Sequence, residues 1–417
     1  MSHPPEQTPT PPAATRQAPL APVLAWSTAL HVVSMLQVFI VPAMAPAMAL
    51  GLGVSESLVG AQVMLVYTTA TAASLYAGSL VVRLGAVRAT QLSIATGAVG
   101  LALSAIPSVP VVALASVVLG VGYGLINPST GLLLEAAVTP SRRTFAFSLK
   151  QSALPAGGMI AGAMVPGLAV ALGWQGPLLL AAAASIVCAA LLEIPHRRLW
   201  PTAPARLAEP ARTSTDVGIV WGSPALRSVC LAVMAISGAQ LILTTYLVTL
   251  LVQHVGIGLV EAGVALSCLN VGGIVGRVGW GAATPWLRSG TVVLAVMYGI
   301  ALVLLIAFAL ATSHWPMVLV YALAFLLGSV IMGSPGIFVS ELVRLAPPSQ
   351  AARAIAGGYV FAFGGAQLGV LLFLIGQQAS GTYAAPLWIL VLLGAHGFLM
   401  SLRAVARLRA PGPQDCA

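Results

Sequence analysis

The chain has 417 residues, of which 59% are hydrophobic and only 6% are charged, and its formal net charge is +9. Soluble domains average about 25% charged residues, so this composition excludes a soluble fold and indicates an integral membrane protein. The cations are spread over many short gaps rather than gathered in a basic patch, so we expect no nucleic acid partner.

The first 22 residues are polar and rich in proline, and no basic start leads into a short apolar core. They predict a disordered cytoplasmic tail rather than a signal peptide. Twelve apolar stretches follow, each near the roughly 20 residues that cross a bilayer. The predicted spans are 24–50, 58–82, 89–107, 110–136, 145–172, 176–194, 225–252, 259–282, 290–312, 316–344, 352–380 and 385–404.

The longest internal gap, 195–224, is polar and rich in proline. It predicts a cytoplasmic linker between an N-terminal bundle (23–194) and a C-terminal bundle (225–404) of six helices each. The remaining residues, 405–417, are expected to form a second cytoplasmic tail.

Lysine and arginine occur on one side of this series of spans. The six gaps on the other side contain neither residue. Because cytoplasmic loops carry the excess of these cations, the pattern predicts that both termini are cytoplasmic and that the chain lies in the inner (plasma) membrane. If one span had been missed or added, the cations that follow it would lie on the other side, and the one-sided distribution would be lost.

Corresponding residues recur after equivalent spans of the two halves. Arg83, Gly85 and Arg88 follow the second span, as Arg277, Gly281 and Arg288 follow the eighth. In the same way Glu135, Pro140 and Arg142 follow the fourth span, and Glu341, Pro347 and Arg353 follow the tenth. Such repeats favour a duplicated six-helix unit.

These segments resemble the major facilitator superfamily over nearly the whole chain. Residues 78–88 (GSLVVRLGAVR) are similar to its signature loop between helices 2 and 3, although Val82 replaces the usual acidic residue. Residues 276–281 (GRVGWG) are similar to the weaker copy between helices 8 and 9, and Glu135 with Arg142 resembles its Glu-x6-Arg arrangement. Residues 147–158 (FSLKQSALPAGG) are similar to helix 5 of bacterial members grouped with cyanate and organic-anion permeases.

The resemblance implies an all-α membrane protein with twelve transmembrane helices in two pseudo-symmetric six-helix bundles, acting as a secondary transporter by alternating access. It also implies that charged residues at the inner helix ends form ion pairs and cap helix C-termini, and separate when the inner side opens. The alternative is that these residues only set topology. The predicted gating residues are Arg83, Arg88, Glu135, Arg142, Arg277, Glu341 and Arg353.

Polar side chains within the spans mark candidate substrate contacts. Since lipid-facing polar atoms would lack partners, we expect their faces to converge on a central cavity. The alternative is that hydroxyls and amides only join helices or bond their own backbone. The candidates are His31, Tyr123, Asn127, Thr130, Gln240, Thr244, Asn270, Tyr359 and Gln367. Two Gly-x-x-x-Gly pairs, at 158/162 and 365/369, predict close helix packing in equivalent spans.

Lys150 is the only lysine in the chain, and it lies just inside the fifth span beside Gln151. A charge at such a depth costs on the order of 2.5 to 3.5 kcal/mol unless it reaches water or a partner. Three placements are open. Lys150 extends to the inner surface, or pairs with Glu135, or faces the cavity with Gln151 and attracts an anionic substrate.

Three functions therefore remain open at the level of sequence. The first is transport of a small organic anion or metabolite, the second is efflux of drugs or lipophilic compounds by proton antiport, and the third is a non-transporting membrane sensor. No ATP-binding loop and no carboxylate deep in a span is present, so His31 or an end carboxylate would carry any coupled proton, unless the protein is an exchanger or uniporter. We expect a monomer that contacts substrate, protons or a counter-substrate, and lipid, with no enzymatic activity, cofactor or metal.

Overall fold

The computed structural model describes residues 19–135, 137–139, 142–194, 217–284, 286–287, 289–347 and 350–409. Within these ranges the chain forms helices and no strand. The helices of the N-terminal half are α1 Leu20–Ala43, α2 Ala45–Leu52, α3 Leu58–Leu84, α4 Ala86–Ser104, α5 Val109–Glu135, α6 Arg143–Gln151, α7 Ala153–Leu172 and α8 Gln175–Leu191.

A short helix, α9 Val217–Gly222, precedes the C-terminal half. The helices of that half are α10 Pro224–Leu250 with a π-helical turn Leu251–Val255, α11 Leu259–Ala283, α12 Gly290–Ala309, α13 Met317–Ile331, α14 Pro335–Leu345, α15 Ala351–Ser380 and α16 Ala384–Arg409. Eleven described segments are long and apolar enough to span a membrane, and α8 is a shorter apolar helix in the place of the sixth span. The all-α prediction is confirmed.

Proline divides three of the predicted spans. The first is two helices that meet at Met44, between Pro42 and Pro46, where the backbone leaves the helical region (φ −133°, ψ 22°). The fifth is divided into α6 and α7 just before Pro155, and the tenth is interrupted before Pro335, which begins α14. Because proline has no N–H and its ring clashes with the preceding turn, a helix bends or breaks at such a residue. The predictions of single helices over 24–50, 145–172 and 316–344 were therefore too simple.

The predicted boundaries differ from the structure at three places. Helix α1 begins at Leu20, directly after Pro19, so residues 20–22 of the predicted tail are helical. Helix α9 lies inside the predicted linker, and α16 continues through Arg409 into the predicted second tail. The rest of these segments, residues 1–18, 195–216 and 410–417, lies outside the described residues, as do Pro140 and Arg288.

Each half packs around its own central helices. In the N-terminal half α5 contacts α1, α3 and α4, and in the C-terminal half α10 contacts α15 and α16 while α11 contacts α13. The most extensive contacts between the halves are those of α7 with α11, α3 with α15 and α1 with α10. The first two pairs are related by the internal repeat, since each joins the second helix of one half to the fifth of the other.

The contact of α7 with α11 depends on small residues. A Cβ atom at Gly162 would lie 2.5 Å from the carbonyl oxygen of Gly263, and one at Gly158 would lie 2.5 Å from the amide oxygen of Asn270. The pair Gly158 and Gly162 thus allows close approach between the halves. The second predicted pair works inside one half, because a Cβ atom at Gly365 or Gly369 would collide with the backbone of α10.

Candidate functional site

Lys150 lies at the end of α6 with only 2% of its surface exposed. Its ammonium group donates to the backbone carbonyl of Asn127 at 3.2 Å and to the amide oxygen of the same residue at 3.4 Å. Both acceptors are neutral, and the described ion pairs do not include Lys150. The side chain therefore does not extend to the surface, which was the first of the three placements. Its described partner is Asn127 on α5 rather than the carboxylate of Glu135, which was the second.

His31 lies on α1 close enough to Lys150 for the two side chains to interact electrostatically. The imidazole is 2% exposed, and its Nδ1 atom has no hydrogen-bond partner. One helical turn earlier, the hydroxyl of Ser27 is also buried without a partner. Each unsatisfied buried group costs about 1 to 3 kcal/mol. The helices α1, α5 and α6 therefore surround a polar site in which the Ser27 hydroxyl and the His31 Nδ1 atom have no hydrogen-bond partner. His31, Asn127 and Lys150 are thus brought together.

Arg277 on α11 contacts two backbone carbonyls at two helix breaks. Its Nε donates to Met332 at 3.1 Å, just after α13, and its Nη1 donates to Gln151 at 2.8 Å, at the end of α6. The second bond crosses between the halves. Pro155 lies four residues after Gln151, so the N–H that would normally donate to this carbonyl within a helix is missing, and the oxygen is available to Arg277. The predicted ion-pairing role of Arg277 is not what the described contacts show.

Other candidate residues lie elsewhere along the interface. Asn270 is fully buried and donates to the Leu266 carbonyl at 2.8 Å, while its amide oxygen has no partner. Gln367 accepts from the Thr68 hydroxyl at 2.9 Å, which joins α15 to α3 across the halves. Tyr359, next to Arg277, stacks on Phe363 with a centroid distance of 5.6 Å.

Several candidates instead make contacts within their own half. Thr244 and Thr130 donate to backbone carbonyls one turn earlier in their own helices, which is the alternative considered for such hydroxyls. Tyr123 packs edge-on against Tyr67 at 5.4 Å. The Gln240 side chain is half-buried on α10, and the Gln151 side chain is exposed. None of these residues has a described hydrogen bond or ring contact with His31, Asn127 or Lys150.

The two described ion pairs lie at the end of the molecule that carries Arg88, Arg277 and Arg344, which we call the arginine-rich end. Arg88 pairs with Glu193 at 2.7 Å, and Arg344 pairs with the buried Glu341 at 2.6 Å. A hydroxyl of Thr291 also donates to Glu341. The first pair lies within the N-terminal half and the second lies within α14 of the C-terminal half, so neither would separate when the halves rock as rigid bodies.

The described charged partner of Glu341 is therefore Arg344, three residues away, which was not among the predicted gating residues. The remaining predicted gating residues lie exposed at helix ends near the same face, Arg83 and Glu135 at the ends of α3 and α5, and Arg142 and Arg353 beside the starts of α6 and α15. A shared role for them stays a prediction.

At the opposite end the halves are held together by hydrogen bonds that sequence analysis missed. The Tyr246 hydroxyl donates to the Ser57 carbonyl at 2.9 Å, the Gln378 amide donates to the Ser57 hydroxyl at 3.5 Å, and Gln253 donates to Glu56 at 2.8 Å. Gly60 leaves room for the Tyr246 hydroxyl, because a Cβ atom there would overlap it. The contact residues lie in turns and helix ends, where hydropathy gives no signal.

Among the described residues, no group of three His, Cys, Asp or Glu side chains could hold a metal ion. The described cysteines Cys188, Cys230 and Cys268 are free thiols.

Comparisons with known proteins agree with this architecture. The family model described as Major Facilitator Superfamily matches residues 27–370. A bacterial homologue of the human lysosomal transporter Spinster, solved in an inward-facing and occupied conformation, has 14% sequence identity and a TM-score of 0.70, over 93% of this chain and 97% of that one. The peptide transporter POT in complex with sulfate has 15% identity and a TM-score of 0.72, over 93% of this chain and 94% of that one. No curated protein sequence matches the chain.

Proposed function

The chain belongs to the major facilitator superfamily, and from this premise we propose that it is a secondary transporter that carries a small organic anion across the membrane by alternating access. Its family and its fold are those of transporters rather than enzymes. The proposal concerns the substrate class, and it rests on the charge and surroundings of Lys150.

The single observation that carries the proposal is a buried ammonium whose described partners are all neutral. Lys150 is 2% exposed and contacts two oxygen atoms of Asn127. Burying an unpaired ion costs several kcal/mol, even after relaxation. Proteins retain a destabilising buried charge where the charged residue has a function. An anionic substrate would offset the cost of burying Lys150 by supplying the missing counter-charge.

The location of Lys150 suits a substrate that enters from the arginine-rich end. At the opposite end Tyr246, Ser57 and Gln378 hold the halves together. The half of α3 toward the arginine-rich end contains highly exposed side chains, with Leu75 and Tyr76 at 78% and 73%. The four-carbon stem of a lysine is flexible, so the ammonium can leave Asn127 and turn toward an arriving anion.

We further propose that the arginine-rich end faces the cytoplasm and that the membrane is the inner (plasma) membrane, since cytoplasmic loops carry the excess of arginine and lysine. Ser79 and Ser380 are exposed at the two ends. In a chain whose four cysteines are replaced by serine, Ser380→Cys should react with an impermeant maleimide in intact cells, and Ser79→Cys only after permeabilisation. The reverse pattern would contradict this orientation.

The substrate class is tested by a stabilisation screen on the purified full-length chain. Organic anions, organic cations and neutral metabolites are added at matched concentration, and the unfolding temperature is recorded. A ligand that binds the folded state raises this temperature in proportion to its concentration over Kd. We expect a subset of anions to stabilise the protein. Stabilisation by lipophilic cations alone would contradict the proposal and favour efflux.

A further inference from the structure

Two cationic side chains from opposite halves flank one residue of α6. Lys150 precedes Gln151 in the chain, and Arg277 of α11 binds the backbone carbonyl of Gln151 at 2.8 Å. Lys150 belongs to the N-terminal half and Arg277 to the C-terminal half. The described contacts thus place a cation of the C-terminal half, Arg277, on the residue that directly follows a cation of the N-terminal half, Lys150.

Both cations have described hydrogen bonds only to neutral oxygen atoms. Lys150 contacts the carbonyl and the amide of Asn127, and Arg277 contacts the carbonyls of Met332 and Gln151. A guanidinium group has five N–H donors in a planar fork that matches a carboxylate. Two are used here, so an arriving planar anion can first bind the three remaining donors and then displace the Gln151 carbonyl. A hydrogen bond from a cation to an anion is roughly twice as strong as one between neutral groups.

We propose that the substrate carries two anionic groups, of the dicarboxylate type, and that it bridges Lys150 in one half and Arg277 in the other. This inference rests on the proposed transport of organic anions and narrows it to dianions. One anionic group binds the Lys150 ammonium in place of Asn127. The other binds the guanidinium of Arg277 and takes the place of the Gln151 carbonyl, while the bond from Arg277 to Met332 keeps the guanidinium oriented.

The exchange of partners would couple binding to movement. Without substrate, the bond from Arg277 to Gln151 fixes α11 against the end of α6. A dianion replaces this neutral contact by two charged ones that link the same halves through the ligand. A ligand changes a conformational equilibrium only through contacts that differ between the two states, and these contacts differ. A monoanion can engage one cation at a time and lacks this effect.

The Arg277 neighbourhood supports an anion rather than a cation. Tyr359 lies next to Arg277 and packs against Phe338 and Phe363, so an aromatic wall borders the guanidinium. Three described carboxylates have partners of their own, because Glu56, Glu193 and Glu341 are bound by Gln253, Arg88 and Arg344. None of these contacts involves Lys150 or Arg277.

The test compares matched carboxylates on the purified full-length protein. Calorimetry gives Kd for succinate, glutarate and adipate and for butyrate, valerate and hexanoate, which have the same chain lengths but one charge. We expect the best dicarboxylate to bind roughly tenfold more tightly than its monocarboxylate, equivalent to one additional charge-assisted contact. In Arg277→Gln this ratio should fall to about one, because the second cation is absent.

Two further variants control the result. Arg403→Gln removes an exposed arginine of α16 that lies outside the site, and the ratio should be unchanged. Arg277→Lys keeps the charge without the planar fork, so it should give an intermediate ratio, and it serves if Arg277→Gln does not fold. Equal binding of mono- and dicarboxylates by the parent chain, or an undiminished ratio in the Arg277 variants, would overturn the dianion inference and leave anion transport standing. Binding of no carboxylate at all would contradict the proposed function itself.

Discussion

The guanidinium of Arg277 and the backbone carbonyl of Gln151 form a 2.8 Å hydrogen bond between the two six-helix bundles. The bond exists because a proline four residues later cannot supply the N–H that would otherwise occupy this carbonyl. A sequence element that weakens a helix thus provides the acceptor for a contact between halves, close to the only lysine in the chain.

Pro155→Ala should weaken this contact. Alanine restores the missing N–H, so α6 and α7 can continue as one helix and the Gln151 carbonyl turns along the helix axis. Spin labels at Ser79→Cys and Ser340→Cys, both exposed at the arginine-rich end, should show a longer or broader distance distribution. In an Arg277→Gln background the same change should add nothing, since coupled residues are not additive. Full additivity would show that Pro155 acts independently of Arg277.

Lys150→Met should stabilise the protein and abolish anion transport. Methionine fills a similar volume without charge, and a lysine inside a span costs on the order of 2.5 to 3.5 kcal/mol. The unfolding temperature in detergent should therefore rise while saturable uptake is lost. A lower unfolding temperature would mean that the contacts with Asn127 hold the fold together.

Gly162→Ala should disrupt the contact of α7 with α11. The added Cβ would lie 2.5 Å from the Gly263 carbonyl oxygen and 2.7 Å from the Ser267 hydroxyl. Overpacking of this kind costs about 1 to 3 kcal/mol. Gly167→Ala is the matched control, because Gly167 lies in the same helix with nothing within 4 Å of its Cβ position. Similar unfolding temperatures for the two variants would argue against close packing at Gly162.

Tyr246→Phe should weaken the contact between the two halves at the end opposite the arginine-rich end. The lost bond from Tyr246 to Ser57 is worth about 0.5 to 1.5 kcal/mol, since the Ser57 carbonyl keeps its bond from the Gly60 amide. Tyr383→Phe is the control at the same end, because the Tyr383 hydroxyl is buried without a hydrogen-bond partner. Burial, followed by the charge of Glu56, raises the pKa of Tyr383, so the hydroxyl stays neutral at ordinary pH. We expect a lower unfolding temperature for Tyr246→Phe only, and equal effects would contradict the assignment.

Much of the fold could be predicted from the sequence, because bilayer thickness and the one-sided arginines restrict the arrangement of helices strongly. The breaks at Met44 and before Pro335 were visible as prolines within apolar stretches. Lys150 could also be selected as a candidate from the sequence, since a single lysine at that depth is unusual in both type and place, and its role in transport stays a prediction.

The contacts of the site could not be predicted in the same way. Arg277 binds backbone carbonyls. Every residue has one, so the residue types do not show which carbonyls an arginine will bind. The charged partner of Glu341 among the described residues is Arg344 on its own helix, a residue that was not among the predicted gating residues. Thr244 bonds its own backbone, an outcome that helix periodicity cannot distinguish from substrate contact.

Counterflow into liposomes that contain the purified protein tests the role of Lys150 most directly. Liposomes loaded with an unlabelled carboxylate are diluted into the labelled compound, for the parent chain, Lys150→Gln and Arg403→Gln. The account predicts saturable uptake by the parent and by Arg403→Gln, and uptake at the level of empty liposomes for Lys150→Gln. Saturable uptake by Lys150→Gln with the KM and maximal rate of the parent would contradict it.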